Sequence, residues 1–384
     1  MDYSFTPEQN QIREHLRALL GKACPPDYAA KCDEDARPPR EAYDALAKAG
    51  WFGLIVPPEY GGSAQNTSGN AIDLAILLEE CGYAFEELAM WVFRTLTYGG
   101  YAVMRDGTPE QKASILPRVA KGEIAVCFGI TEPHSGSDAA ALTTKATEHE
   151  GGYLINGQKV FTSGMDCSEL CLLIARTAST GKKHEGITNF LIDTKLPGID
   201  IKKIKTLGQR AIGTTQVFYN DVQVPKTAVL GKVGEGWRSV DAYIWYERLC
   251  LSAARTGAAT AAFEYALNYA KTRKQFGKTI GEFQAVSHKL ADMKMMLDIS
   301  RTMVYRFAWL MDQGKATRHD AAVVKLHTGE TYKAVSDMGL QILGGYGYCM
   351  EYPMQRFFRD SRLATIGAGT SEIQRNIIAR GLGL

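Results

Sequence analysis

The spacing of apolar residues changes twice along the chain, and this order restricts the fold more than any other feature. Helical spacing runs through the first third. Two-residue alternation begins near residue 121, and helical spacing returns after Gly236 and holds to the end. Strands and helices that alternate build wound parallel sheets, whereas segregated blocks build separate helical and sheet layers. The expected fold class is therefore α+β: an N-terminal helical domain over 1–120, a small central β domain over 121–235 and a C-terminal helical bundle over 236–384. No 20–50-residue repeat is present, and neither GxGxxG nor GxxxxGK(S/T) follows a strand. Nicotinamide and P-loop nucleotide chemistry lose their usual support.

Local signals place the elements. Thr6-Pro7-Glu8-Gln9 and Thr108-Pro109-Glu110-Gln111 each read as a capping box that starts a helix. Helices are expected over 40–48, stopping at Gly50, and over 71–80. In the middle block, 188–193, 198–204 and 215–224 read as strands. Asn156-Gly157 stands between two apolar-alternating runs, which predicts a hairpin with a type I′ turn. Helices follow over 238–273, closed by Gly277, then 283–312, 319–343 and 370–380.

Charge and cysteine usage narrow the function classes. With 44 basic against 42 acidic residues in 384, nothing steers the chain onto nucleic acid or an anionic membrane. Eight cysteines form no CxxC pair and seven histidines form no HExxH, so no metal is expected, and the thiols read as reduced. MDYSFTPEQNQIREHL has neither a basic n-region nor an apolar core, and Asp2 and Glu8 make it a poor transit peptide. No run of 18 apolar residues occurs. The expectation is a cytoplasmic protein that does not span a membrane.

Three segments are candidates for chemistry, each with an ordinary explanation beside it. Phe128 to Asp138 runs from apolar residues into small hydroxyl and glycine residues that can meet a heterocycle or a phosphate; alone it reads as a turn. Arg273-Lys274-Gln275-Phe276-Gly277 closes the long helix, where cations suit the dipole without any ligand, or clamp a diphosphate. The glycines of Gln341 to Gly347 end a helix or let backbone approach a cofactor. Glu247 is the most informative single residue. It falls inside an apolar stripe of Val240, Tyr243, Ile244, Leu251 and Ala254, with Arg248 beside it. A buried carboxylate is costly unless paired or useful, and structural pairing and function weigh equally here.

Taken together the segments resemble the acyl-CoA dehydrogenase family of flavoproteins. The resemblance rests on Ile130-Thr131-Glu132-Pro133 with Gly136-Ser137-Asp138, Asn156-Gly157-Gln158-Lys159, Arg273 to Gly277, Gln341 to Gly347 with Glu351-Tyr352-Pro353, Arg359-Asp360 and Gly369-Thr370. They stand in the family's order over essentially the whole chain. The resemblance implies FAD held by Phe128, Ile130, Thr131, Gly136, Ser137, Phe161 and Ser163 of one subunit. Arg273, Phe276, Gln284, Gln341, Gly344 and Gly345 of a neighbour, with Thr370 and Glu372, would complete the site in a homotetramer. Phe161 and Ser163 replace the commoner Trp and Thr. Ser137, Tyr243, Arg248, Ala368 and Gly369 would meet the acyl-CoA substrate.

One departure locates the base. Many members carry a catalytic glutamate immediately before the Gly-Thr of the C-terminal motif, where this chain has Ala368. Isovaleryl-CoA and long-chain members lack it too and carry the base on the long helix in a Glu-Arg pair, which Glu247-Arg248 matches. The implied activity is α,β-dehydrogenation of an acyl-CoA to a 2,3-enoyl-CoA, with electrons passed to electron-transfer flavoprotein. Bulky Trp91, Phe93, Tyr243 and Trp245 favour a short, branched or cyclic acyl group. Alternatives are an unusual thioester on the same scaffold (a cyclic enoyl-CoA, an acyl-carrier-protein thioester, a desulfination) or a catalytically silent interaction protein.

Overall fold

The computed structural model describes residues 5–65 and 70–384; Asp2, used above, lies outside them. The N-terminal helices are α1 (Pro7–Ala23), α2 (Tyr28–Asp35), α3 (Arg40–Lys48), α4 (Ala71–Ala84), α5 (Glu86–Arg94), α6 (Ala102–Asp106) and α7 (Pro109–Ala120). Both expected capping boxes form. The Thr6 hydroxyl accepts from the Gln9 N–H at 3.2 Å and Thr108 from Gln111 at 3.2 Å, and each glutamine accepts from its cap residue's N–H in return. Between α5 and α6, Thr95–Tyr101 winds as a π-helix.

The middle strands are β1 (Val126–Gly129), β2 (Lys145–His149), β3 (Gly152–Lys159), β4 (Leu170–Arg176), β5 (Ile187–Asp193), β6 (Ile199–Ile204), β7 (Thr214–Pro225) and β8 (Val229–Leu230). They form one sheet in the order β6-β7-β3-β2-β4-β5-β8, with β1 parallel to β4. Phe190, Ile192, Val217 and Tyr219 belong to the β domain's own core. The hairpin expected at Asn156-Gly157 does not form. β3 runs through both residues along β7, with a bulge between Ile155 and Gly157. Gly157 has φ 147°, and a Cβ there would stand 2.7 Å from Thr144 Cα. The glycine serves a close backbone approach rather than a turn. The tight turn falls at Glu150-Gly151, joining β2 to β3.

The C-terminal bundle comprises α8 (Gly236–Thr272), α9 (Gln284–Asp312), α10 (Arg318–Leu343), α11 (Met354–Ala364) and α12 (Ser371–Gly381). Helix α11 had no counterpart among the expected elements. Among the described residues no helix is long and apolar enough to cross a membrane. Helix α8 crosses α4 at contact distance. A Cβ on Gly257 would lie 1.9 Å from Glu79 O, and one on Gly82 would lie 2.0 Å from Ala254 O. Charges join the three parts around the segment between β6 and β7. Asp33 of α2 holds Arg210 at 2.7 Å and Arg359 of α11 at 2.6 Å. Asp360 accepts from Gln209 N at 2.6 Å, and Glu87 accepts from Ile212 N at 2.8 Å.

This crossing makes a stability prediction. Gly257→Ala drives a methyl into a backbone carbonyl that no rotamer change relieves, and overpacking of this kind costs about 1–3 kcal/mol. Gly21→Ala, in an exposed turn of α1 with nothing within 4 Å, is expected to stabilise by up to about 1 kcal/mol through helix propensity. Thermal unfolding of the two variants should move in opposite directions; parallel shifts would mean that the helices yield at the crossing.

Candidate active site

Glu247 lies on α8 among Val240, Tyr243, Leu251 and Ala254, all buried, and is itself only 9 % exposed. Burial raises its carboxyl pKa. A hydrogen bond with Tyr98 and the charges of Arg248, Arg94 and Arg255 pull the other way without cancelling the rise. The expected structural pair with Arg248 is not a hydrogen-bonded one, because Arg248 Nε and Nη1 are buried without an acceptor among the described residues. The largest influence that favours the ionised Glu247 carboxylate is therefore a neutral donor on the π-helix, the Tyr98 hydroxyl.

That π-helix sets the site's second wall. Tyr98 stacks on Phe128 of β1 with centroids 4.3 Å apart, and Tyr101 stacks on Tyr246 at 4.3 Å. Gly99 and Gly100 let the wide turn press inward, since side chains there would meet Val126 Cγ2 at 2.7 Å and Ile55 Cδ1 at 2.4 Å. Single π turns of this kind gather at functional sites. Tyr98 thus connects Glu247 to the end of β1, where Phe128, Ile130 and Thr131 are half-buried.

The loop 366–370 is the third wall. Ala368 holds φ 58°, a left-handed conformation that costs a non-glycine residue energy, and its N–H meets no acceptor among the described residues. Lys325 Nζ donates to Gly369 O at 2.6 Å, and Gln374 Nε2 donates to the same oxygen at 2.9 Å and to Ala368 O at 3.3 Å. Arg248 Nη2 is 3.8 Å from where a Gly369 Cβ would stand. Burial first, then the charges of Arg255 and Arg248, push Lys325 down to about 7.

The loop after β1 is braced from beneath. Lys159 Nζ donates to Ile130 O at 3.0 Å and to Glu132 at 2.8 Å, while Glu132 also accepts from Thr143 N and Thr144 N. Burial would raise Glu132, but the Lys159 charge and these hydrogen bonds hold it at about 2. Phe161 is 63 % exposed at φ 56°, an unusual conformation for a bulky residue, and Ser163 shares a hydrogen bond with Thr214 at 3.0 Å. Gly136 and Ser137 are exposed, and a Cβ on Gly136 would meet nothing within 4 Å.

The remaining expected cofactor residues gather elsewhere. Arg273, Gly344 and Gly345 line an open groove of about 500 Å³ with Tyr269 and Tyr346, where the Arg273 guanidinium lies 5.4 Å over the Tyr346 ring. Gln341 is exposed on the last turn of α10, Gln284 opens α9, and Phe276 is 92 % exposed. From Glu247 to Thr272 the helix rises about 38 Å over 25 residues. One chain therefore does not bring the Arg273 groove to Phe128. Thr370 accepts from Ile373 N at 3.3 Å as the cap of α12, with Glu372 exposed in that helix's first turn.

Two sequence expectations about substrate walls change. Trp91 packs on Tyr43, centroids 4.4 Å apart, inside the N-terminal core, and the Tyr243 hydroxyl donates to Asp106 at 2.5 Å. Lys325 and Gln374 were missed, as was the approach of Tyr98 to Glu247. Lys325 carried the same signal as Glu247, a charge within an apolar stripe that includes Ala321, Ala322, Val324 and Tyr332. Tyr98 and Gln374 carried none.

Lys325 makes the apoprotein's stability depend on pH. Its folded pKa of about 7 lies below the ordinary 10.5, so between these values the unfolded chain binds the extra proton and stability rises with pH. Relative to Lys325→Met, the parent should gain up to about 1.4 kcal/mol per pH unit across that window. Denaturant melts at pH 7 and pH 9 test this, and a constant difference between the two proteins would contradict it.

Comparison with known proteins supplies the context for this geometry. The N-terminal, middle and C-terminal domain models of the acyl-CoA dehydrogenases match residues 6–123, 127–222 and 234–383. A probable acyl-CoA dehydrogenase, YngJ, of Bacillus subtilis (strain 168) is 35 % identical over 386 aligned positions, covering 100 % of both chains. The mitochondrial isovaleryl-CoA dehydrogenase of Oryza sativa subsp. japonica is also 35 % identical, over 98 % of this chain and 92 % of its own. The solved glutaryl-coenzyme A dehydrogenase–glutaryl-CoA complex superposes with TM-score 0.95 at 30 % identity, over 100 % of this chain and 97 % of that one. The chain belongs to the acyl-CoA dehydrogenase family, FAD-dependent oxidoreductases that act on CH–CH groups.

Proposed function

We propose that this protein oxidises a short, branched or cyclic acyl-CoA to its 2,3-enoyl-CoA with Glu247 as the base, and passes the electrons to electron-transfer flavoprotein. The observation that carries the reading is a desolvated carboxylate on α8, next in sequence to an arginine that reaches the loop with the free Ala368 N–H, in a chain whose alternative base position is alanine. The ionised Glu247 takes the α proton, and its raised pKa makes it a stronger base than an exposed glutamate. The Ala368 N–H polarises the thioester carbonyl as charge develops there. Lys325 and Gln374 support this by holding the Gly369 carbonyl, and Gln374 holds the Ala368 carbonyl as well. FAD supplies the acceptor for the β hydride.

The residues suit that cofactor. Exposed Phe161 and the hydroxyls of Thr131 and Ser163 offer a ring contact and hydrogen bonds at one end, and Arg273 with Gly344 and Gly345 offers a cation and open backbone at the other. Because about 38 Å of helix separates the two sets, the second set reaches the flavin from a neighbouring subunit. Exposed Phe276, Tyr348 and Met350 near the Arg273 end support a homotetramer with that surface covered.

Three measurements test the assignment. Glu247→Gln should keep FAD and fold yet lose at least ~10²–10⁴-fold in turnover and in anaerobic flavin bleaching; unchanged bleaching would move the base elsewhere. In the parent, kcat/KM should fall as pH drops through a Glu247 pKa above the ordinary carboxylate range. Arg273→Ala removes a charge-assisted bond worth about 1.5–3 kcal/mol, so it should purify with less flavin and a smaller assembly. Full flavin content in that variant would reject the diphosphate role.

A further inference from the structure

Carboxylates from three helices hold the segment between β6 and β7. Asp360 of α11 accepts from Gln209 N at 2.6 Å, and Asp33 of α2 receives the Arg210 fork at 3.0 and 2.7 Å. Glu87 of α5 accepts from Ile212 N at 2.8 Å. All three carboxylates are buried, and Gln209 holds φ 55°, a left-handed conformation that persists only where the surroundings over-determine it. Burying carboxyl groups is costly, and a connecting loop does not need them. Here they fix backbone.

What they fix lies immediately downstream. Residues 213–215 run against 162–164: Gly164 N donates to Gly213 O at 3.3 Å and Thr162 N to Thr215 O at 3.0 Å. The Thr215 hydroxyl donates to Thr162 O at 2.7 Å, and the Ser163 hydroxyl to the Thr214 hydroxyl at 3.0 Å. A Cβ on Gly164 would stand 3.2 Å from Ile212 Cγ2, so the two stretches touch directly. On the other side Val160 N donates to Thr131 O at 2.9 Å, which pins Phe161 from both ends at φ 56° with its ring exposed. The path from Glu87 to Ser163 is therefore short: one hydrogen bond to Ile212, the backbone from there to Thr214, and one more hydrogen bond.

We propose that Glu87, together with Asp33 and Asp360, is a positioning residue for FAD, fixing through the 209–215 segment where Phe161 and Ser163 meet the cofactor. This rests on the FAD site read above and extends it to residues that act through Ser163. It also gives the helical domains a grip on the flavin wall of the β domain, since the anchors come from α2, α5 and α11 and the wall from the stretch after β3.

The test measures flavin release from FAD-loaded protein on dilution, by flavin fluorescence, and records the visible absorption band of the bound flavin. Glu87→Met leaves Ile212 N without its acceptor. It should raise the FAD dissociation constant by about 10-fold, the order that one hydrogen bond carries, and shift the band. Burial and the charge of Asp360 raise the Glu87 carboxyl well above its ordinary range, so a neutral amide of the same length is its closest substitute. Glu87→Gln should accordingly stay within about threefold of the parent. In a Ser163→Ala background, Glu87→Met should change the dissociation constant by less than about threefold, because residues coupled through one contact do not add. Three results would each overturn the proposal and leave the FAD site standing: a Glu87→Met protein that melts lower yet keeps the parent's flavin affinity and band, equal losses in Glu87→Gln and Glu87→Met, or an undiminished loss in the Ser163→Ala background. Should Glu87→Met fail to fold, Arg210→Met, whose side chain is 32 % exposed, decides by the same measurements. A parent protein that holds no flavin would overturn the FAD site itself.

Discussion

Everything at the site depends on how close α8 comes to α4. Glycines at 82 and 257 remove the side chains that would hold the two helices apart, and each backbone then fills the other's gap. Close-packed interiors transmit such constraints with little loss. Through this contact the long helix is held against the N-terminal domain, and Glu247, ten residues before Gly257, is delivered to the π-helix that carries Tyr98.

The site is expensive in electrostatic terms. Glu247, Arg248, Arg255, Lys325 and Arg94 crowd a region where burial opposes every charge among them. Arg248 and Arg255 keep buried N–H groups without acceptors among the described residues, and Ala368 holds a left-handed backbone. Such costs persist where surrounding structure over-determines them, and they collect at sites that do chemistry. The Glu132–Lys159 pair under the β1 loop is the opposite case: fully hydrogen-bonded, it fixes backbone and leaves no charge unanswered.

The fold class was legible because it depends on periodicity, which is local. Capping boxes at Thr6 and Thr108 are local as well, since every group they join lies within four residues. Asn156-Gly157 shows the limit. The dipeptide satisfies a turn's backbone needs, yet what the glycine answers is Thr144, brought alongside by sheet pairing. Helix α11 escaped notice because Met354–Ala364 mixes buried and exposed polar residues, with Arg356, Asp360 and Ser361 turned inward to Phe85, Gln209 and Ser336.

By itself the sequence determined the order of helical and sheet layers, the family resemblance, and Glu247 as an anomalous charge on an apolar face. Only the tertiary structure decided what that charge meets. Tyr98, Lys325 and Gln374 converge on the site from positions up to 276 residues apart, and nothing in their neighbours along the chain marks Tyr98 or Gln374 as polar contacts. Tertiary packing also parted what the motifs had grouped, setting the Arg273 groove about 38 Å along α8 from Glu247. The physical reason is the same in both directions. Spacing along a chain dictates which face of an element a residue occupies, but the distance between elements follows from which side chains are small enough to let them touch.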